Sequence, residues 1–184
     1  MGMEALTLIA NPGSASRKYG LYRNGSQTAE LHFEYREGRI ACAGYFNDRH
    51  QPIDVDLHEL TDVAGQVLPI LKSHNLIGAD EAITRIGLRI VAPSSYFLQD
   101  RMLDDEAINR LRELESRVPL HINATLREYE TLHDVFHDAV IVGVSDSAFH
   151  ATKPDYAWNY GVRLQDADRF EIKRFGYHGI SVAS

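Results

Sequence analysis

Residues 5–23 read ALTLIA, NPGSASRK and YGLYR in succession. An apolar run, a cluster of turn-forming and hydroxyl residues, and a second β-patterned run predict two strands joined by a short turn. The same alternation continues in TAELHFEY (28–35) and RIACAGYF (39–46). The joints RNGS (23–26) and YREGR (35–39) each carry a glycine, and Asn-Gly in particular favours a tight hairpin. The first 46 residues therefore predict an antiparallel meander of up to four strands.

Beyond the meander the hydrophobic period changes. Val63, Val67, Ile70, Leu71 and His74 recur at helical intervals, which predicts a helix over 60–74 with Thr61 as its N-cap and a kink or early stop at Pro69. RIGLRIVA, from Arg85, is a compact buried-strand run followed by the loop APSSY. A second helix is predicted over 104–117, with Ala107, Leu111, Leu114 and Val118 on one face and acids at its N-terminus. A third is predicted over 124–137. AVIVGVSD then reads as an apolar strand ending on an acid, and FEIKRFG as a last short strand. A meander followed by alternating helices and strands predicts an α/β domain with a mixed sheet.

The 184 residues suffice for one domain with a substantial core. A formal net charge of −7 argues against a general binder of nucleic acid or anionic membrane, so any phosphate site must be built locally. The single cysteine, Cys42, excludes an internal disulfide framework and fits a reducing compartment. It is expected to be a strand residue. The stretch MGMEALTLIA has no basic region and too short an apolar run for a leader or a membrane span, so a cytoplasmic protein is expected. The chain stops at GYHGISVAS, just after a glycine-flanked histidine, and the expectation is a fragment of a longer enzyme or a domain on its own.

Four segments carry chemistry. In NPGSASRK, Gly13 permits close approach, Ser14 and Ser16 are hydroxyl donors and Lys18 is a point charge, the parts of a phosphate-facing turn. It is not a Walker A loop, and taken alone it reads first as a surface hairpin turn. Arg89 lies in an apolar strand, where a guanidinium demands a carboxylate or phosphate partner, either an internal salt bridge or a ligand. Asp146 stands at the carboxyl end of a buried strand, the edge at which α/β sheets bind ligands, although an N-cap or loop acid reads the same way. His178, between glycines in FGYHG, allows backbone and ligand to approach closely.

Asn-x-Gly-Ser-x-Ser-x-Lys, an arginine in an apolar strand, Pro-Leu-His, DSAFHATKPDYAWNYGV and KRFGYHGIS occur in this order across nearly the whole chain. In this the sequence resembles the N-terminal half of an acetate kinase. The resemblance implies an actin-like fold of the sugar-kinase and Hsp70 type (ribonuclease H-like). It implies reversible transfer of the γ-phosphoryl of ATP to acetate, with Mg2+ as cofactor and a homodimer at full length. By position, Asn11 matches a magnesium-associated asparagine, Ser14, Ser16 and Lys18 a phosphate-contacting turn, and Arg89 the arginine that binds carboxylate or phosphate. Asp146 matches an essential aspartate, His178 a transition-state histidine and His121 another active-site histidine. Val91, Leu120 and Tyr177 match an apolar acyl pocket. The nucleotide-binding second half of the family is absent from these 184 residues, so this chain alone is expected to be inactive.

Departures from the pattern are visible. The family's His-Arg-Val-Val-His-Gly-Gly is replaced by Leu88 to Ser94, its Thr-Ser-His after the last motif by Ile180, Ser181 and Val182, and Pro12 and Ala15 alter the turn. A propionate or butyrate kinase, or a non-catalytic module of the same fold, are the alternatives these departures raise. HDVFH (133–137) imitates a helical zinc motif, but Asp134 is a methylene short of the usual base and no third ligand is evident.

Overall fold

The computed structural model describes residues 6–183, so Ala5, the expected start of the first strand, lies outside the described residues. Five consecutive strands form the meander: β1 (Leu6–Pro12), β2 (Ser16–Arg23), β3 (Ser26–Arg36), β4 (Arg39–Phe46) and β5 (Arg49–Ile53). All pair antiparallel with their sequence neighbours. Three joints are two-residue loops in which both residues have positive φ: Asn24 and Gly25, Glu37 and Gly38, Asn47 and Asp48. That is the geometry whose twist matches a right-handed hairpin. The third was not expected from sequence, because Asn-Asp lacks glycine and RHQPI is too polar to read as a strand. Pro52 is tolerated because β5 is an edge strand.

The complete sheet has the order β5-β4-β3-β2-β1-β6-β8-β7, with β6 (Ile83–Ile90), β7 (Arg101–Met102) and β8 (Val140–Ser145). β6 lies parallel to β1, so the sheet is mixed, as the sequence predicts.

The chain divides into two compact units. The first holds the meander, β6 up to Arg89 and Asn123–Val142. Its core is the alternating face of Leu6, Leu8, Ala10, Tyr19, Leu21, Leu31 and Phe33. Helix α1 (Val63–Ser73) buries Val63, Val67, Ile70 and Leu71, the predicted stripe. The expected N-cap of α1 and the early stop at Pro69 are not found. Thr61 is not its N-cap: a short 3-10 turn precedes the helix, Asp62 holds the cap position without a side-chain bond, and the Thr61 hydroxyl points to Glu59. Pro69 does not end the helix, which continues to Ser73 with the proline on its exposed side.

The second unit holds Ile90–Ile122 and the chain from Gly143. Helix α2 (Asp105–Glu113) is capped by Asp104, whose carboxylate accepts from the Ala107 amide, and it ends four residues earlier than expected. Helix α3 (Pro119–Val135) begins earlier than predicted, because Pro119 suits the first helical position, where no amide hydrogen is needed. FEIKRFG is not a strand. It makes one bridge, Lys173 to Asn159, while Phe170 and Ile172 are exposed and Glu171 has a positive φ. A strand needs a ladder of partners, and the short helices α4 (Asp155–Trp158) and α5 (Leu164–Arg169) offer none. The last helix, α6 (Gly179–Ala183), follows His178 directly.

Candidate active site

In the first unit the β1–β2 turn is closed by the Gly13 amide donating to Ser16 O at 2.8 Å. A Cβ on Gly13 would stand 2.8 Å from that same oxygen, so the glycine is required by close approach. Ser14 and Lys18 are exposed and Ser16 half-buried. Asn11 and Lys18 are register partners, and Ala10 pairs with Leu88, which brings Arg89 beside Asn11. Arg89 Nη1 donates to Asn11 Oδ1 at 3.0 Å. Lys18, Asn11 and Arg89 therefore lie side by side on one face of three neighbouring strands, opposite to the core. His32, the register partner of Lys18 on β3, extends the row.

This corrects the reading of Arg89 as a buried cation. Arg89 is out of phase with buried Ile86, Leu88 and Ile90, and it is only half-buried. The arginine that is buried is Arg17, in phase with Tyr19 and Leu21. It forms an ion pair with Glu128 of α3, and the Tyr19 hydroxyl donates to the other oxygen of that carboxylate. Burial, partly opposed by Arg17 and Tyr19, raises the Glu128 carboxyl above the ordinary range. Burial, with Glu128 second, likewise raises the Tyr19 phenol. The triad fixes β2 on α3 from the core side while Ser16 and Lys18 point to the other. Period-two phasing was the signal that could have found it.

In the second unit Asp146 immediately follows β8 and has 0% exposure. Its amide donates to Ile90 O at 3.1 Å and its Oδ1 accepts from the Ile180 amide at 3.2 Å. Ser145 anchors the turn, donating through its hydroxyl to Phe97 O at 2.7 Å and through its amide to Asp100 Oδ1 at 2.9 Å. His178 is exposed, with φ of 58°, a left-handed conformation that costs a non-glycine residue about 1–2 kcal/mol. The loop is held by close approach: a Cβ on Gly179 would overlap the carbonyl oxygen of Asp146. Tyr177 is 48% exposed, and its ring lies 6.2 Å from that of His121 in the first turn of α3. Leu120, beside it, is 87% exposed, and Val91, just past β6, is half-buried.

A clamp behind this loop was not read from sequence. Lys153 Nζ stands 4.5 Å over the Trp158 ring and donates to Arg174 O, and Arg174 lies over the Tyr160 ring. Trp158 packs edge-on against buried Phe175. Desolvation, then the nearby Arg174, lowers the Lys153 ammonium below its ordinary value.

Among the described residues no three His, Cys, Asp or Glu side chains gather as a metal site. His133 belongs to α3, but the helix ends at Val135, so His137 does not share its face at i+4. Among the expected site residues, the first unit offers the Asn11 amide oxygen and the Ser14 and Ser16 hydroxyls, and the second unit the Asp146 carboxylate. In the first unit the Asn11 amide oxygen is a hard donor of the kind Mg2+ takes, an ion that keeps several waters and is bound largely through substrate phosphates. Among the described residues no helix is long and apolar enough to cross a membrane.

Comparison with known proteins adds an independent line. A family model described as the Acetokinase family matches residues 6–183. Acetate kinase 2 of Lactococcus lactis subsp. lactis (strain IL1403) is 30% identical over 182 residues, covering 95% of this chain and 45% of that protein. Acetate kinase 1 of Neisseria meningitidis serogroup A is 29% identical over 179 residues, covering 97% and 45%. The chain thus spans about half the length of the curated relatives it matches. Among solved structures, Porphyromonas gingivalis acetate kinase superposes with a TM-score of 0.82 at 25% identity, covering 95% of this chain and 45% of that one. A propionate kinase from Francisella tularensis gives 0.82 at 21%, with the same coverage. The mixed eight-stranded sheet is that of these structures, the actin-like ATPase fold.

Proposed function

The chain belongs to the acetokinase family, and from that premise we propose that it is the N-terminal part of a cytoplasmic, homodimeric carboxylate kinase whose reaction is the reversible, in-line transfer of the γ-phosphoryl of ATP to acetate. The observation that carries this reading is the row Lys18, Asn11 and Arg89 on one open face of the sheet, joined by the Arg89–Asn11 hydrogen bond. Phosphoryl transfer leaves charge on the equatorial oxygens of the moving group, so catalysis is mostly positioning and electrostatic stabilisation.

Each residue has a role of that kind. Ser14, Ser16 and Lys18 bind phosphate oxygens, Arg89 binds the carboxylate or the transferring phosphate, and His178 and His121 donate to the charged oxygens. The acceptor carboxylate is ionised at neutral pH, so no strong base is needed. Asp146, already accepting from the Ile180 amide, orients rather than deprotonates. Val91, Leu120 and Tyr177 contact the acyl group. Mg2+, held by Asn11 and by substrate oxygens, supplies charge neutralisation when bound.

The test is acetyl phosphate formation from ATP and acetate. The 184-residue chain is expected to give no turnover, and the longer gene product to turn over acetate in preference to propionate and butyrate. With the short chain, acetyl phosphate should shift the NMR amide signals of residues 11–18 and of Arg89. No shift there, together with no activity in the longer product, refutes the reading in favour of a non-catalytic module.

A further inference from the structure

The His178 loop has a second anchor that the proposed chemistry leaves out. His150 follows Asp146 by four residues, in a 3-10 segment (Ala148–Thr152). Its Nε2 lies 3.0 Å from the carbonyl oxygen of Tyr177, the residue before His178. A carbonyl only accepts, so Nε2 must carry the hydrogen. The imidazole ring also fills the space in front of Gly176: a Cβ there would overlap the ring, and Gly176 has φ of 85°. The Tyr177 peptide is thus gripped between a hydrogen bond and a ring face. Gly176 and His178, on either side of Tyr177, both have the left-handed backbone. On the other side Gly179 abuts the Asp146 carbonyl, and Ile180 N donates to its carboxylate.

We infer that His150 is a positioning residue, which fixes the backbone from which His178 projects by holding the Tyr177 carbonyl and occupying the space over Gly176. Without the hydrogen bond, the left-handed backbone at His178 has less to impose it, since such conformations persist only where their surroundings over-determine them. The consequence for catalysis rests on the proposed role of His178. The contact itself does not.

The test uses the 184-residue chain and two variants. His150→Phe keeps a ring but removes the donor, whereas His150→Gln restores an N–H donor. Backbone 15N relaxation is expected to show Tyr177 to Ile180 rigid in the parent, with order parameters near the rigid range of about 0.85. In His150→Phe these should fall toward about 0.6 or below, with His150→Gln recovering most of the difference and Ile141 to Ser145 unchanged. Unaltered loop order in His150→Phe, or a loss spread equally over β8, overturns the inference. So does a His150→Gln variant that behaves as the phenylalanine one. Should His150→Phe not fold, the imidazole 15N spectrum of the parent decides: an Nε2–H His150 supports the bond and an Nδ1–H neutral tautomer overturns it. In an active longer product, His150→Phe should lower kcat at least tenfold with KM for acetate within twofold, and an unchanged kcat overturns the catalytic consequence. An inactive longer product refutes the kinase reading while leaving the loop measurements to stand or fall by themselves.

Discussion

Arg17 on β2 and Glu128 on α3 form an ion pair closed to water on both sides, with side chains 4% and 1% exposed. The Arg17 Nε in the same site is buried without a hydrogen-bond partner. Removing one member strands the other charge, and costs about 3–5 kcal/mol, whereas replacing both by apolar residues is often neutral. Arg17→Leu and Glu128→Leu are each expected to destabilise the chain by that amount, and the double variant to return within about 1 kcal/mol of the parent. Urea unfolding of the four proteins measures the cycle, and additive single losses would contradict it.

The same carboxyl has a pH signature. Burial raises its value in the folded state, so the folded form binds this proton more tightly than the unfolded one. Its contribution is complete below the ordinary carboxylate range and declines as pH rises through the raised value. Glu128→Gln, which cannot titrate, should lack that declining component in stability measured from pH 4 to 8.

Glu81 behaves oppositely. The hydrogen bond from Arg23, then that from the Gly78 amide, holds its carboxyl down to about 2. A depressed carboxylate stabilises the fold above its unfolded value and loses that contribution as pH falls from about 4.5 to about 2. The stability difference between the parent and Arg23→Met should therefore be largest at neutral pH and shrink towards pH 2. A constant difference across that window counts against the pair.

Cys42 lies on β4 at 6% exposure, and burial pushes its thiol up to about 12. Since the thiolate is the reactive species, a disulfide reagent at neutral pH should label the native chain only at the rate of unfolding, and the urea-denatured chain at once. Rapid native labelling would show an open thiol.

Asp146 separates structure from chemistry. Asp146→Asn keeps an oxygen for the Ile180 amide and should cost about 1 kcal/mol or less, while Asp146→Ala leaves that amide without its acceptor and should cost about 1–3 kcal/mol. In the longer carboxylate kinase proposed above, both variants should lose turnover, because only the carboxylate carries the charge. An asparagine variant with parental kcat would remove Asp146 from the mechanism.

The meander was legible because its signals are local. Asn24-Gly25 and Glu37-Gly38 announce their turns, and the alternation of Leu6, Leu8 and Ala10 announces a face. β5 was missed for the same reason: Asn47-Asp48 makes the same turn with weaker residues, and a polar edge strand is defined by its neighbour rather than by its composition. FEIKRFG failed in the other direction, since β-propensity without a partner strand gives only extended chain.

The candidate site divides similarly. Residue types singled out Lys18, Arg89, Asp146 and His178 as candidates, and the family resemblance added Asn11; their roles remain proposals. Which arginine is buried, and what holds the His178 loop, depended on contacts across 111 residues for Arg17 with Glu128 and 27 for His150 with Tyr177. By itself the sequence determined β1 to β4, the small-residue turn between β1 and β2 and the acid just after β8, all set by short-range sterics and period. Only the tertiary structure decided that Arg17 needs Glu128 while Arg89 meets Asn11, and that the space over Gly176 belongs to His150, because burial and hydrogen-bond partnership arise when distant segments pack.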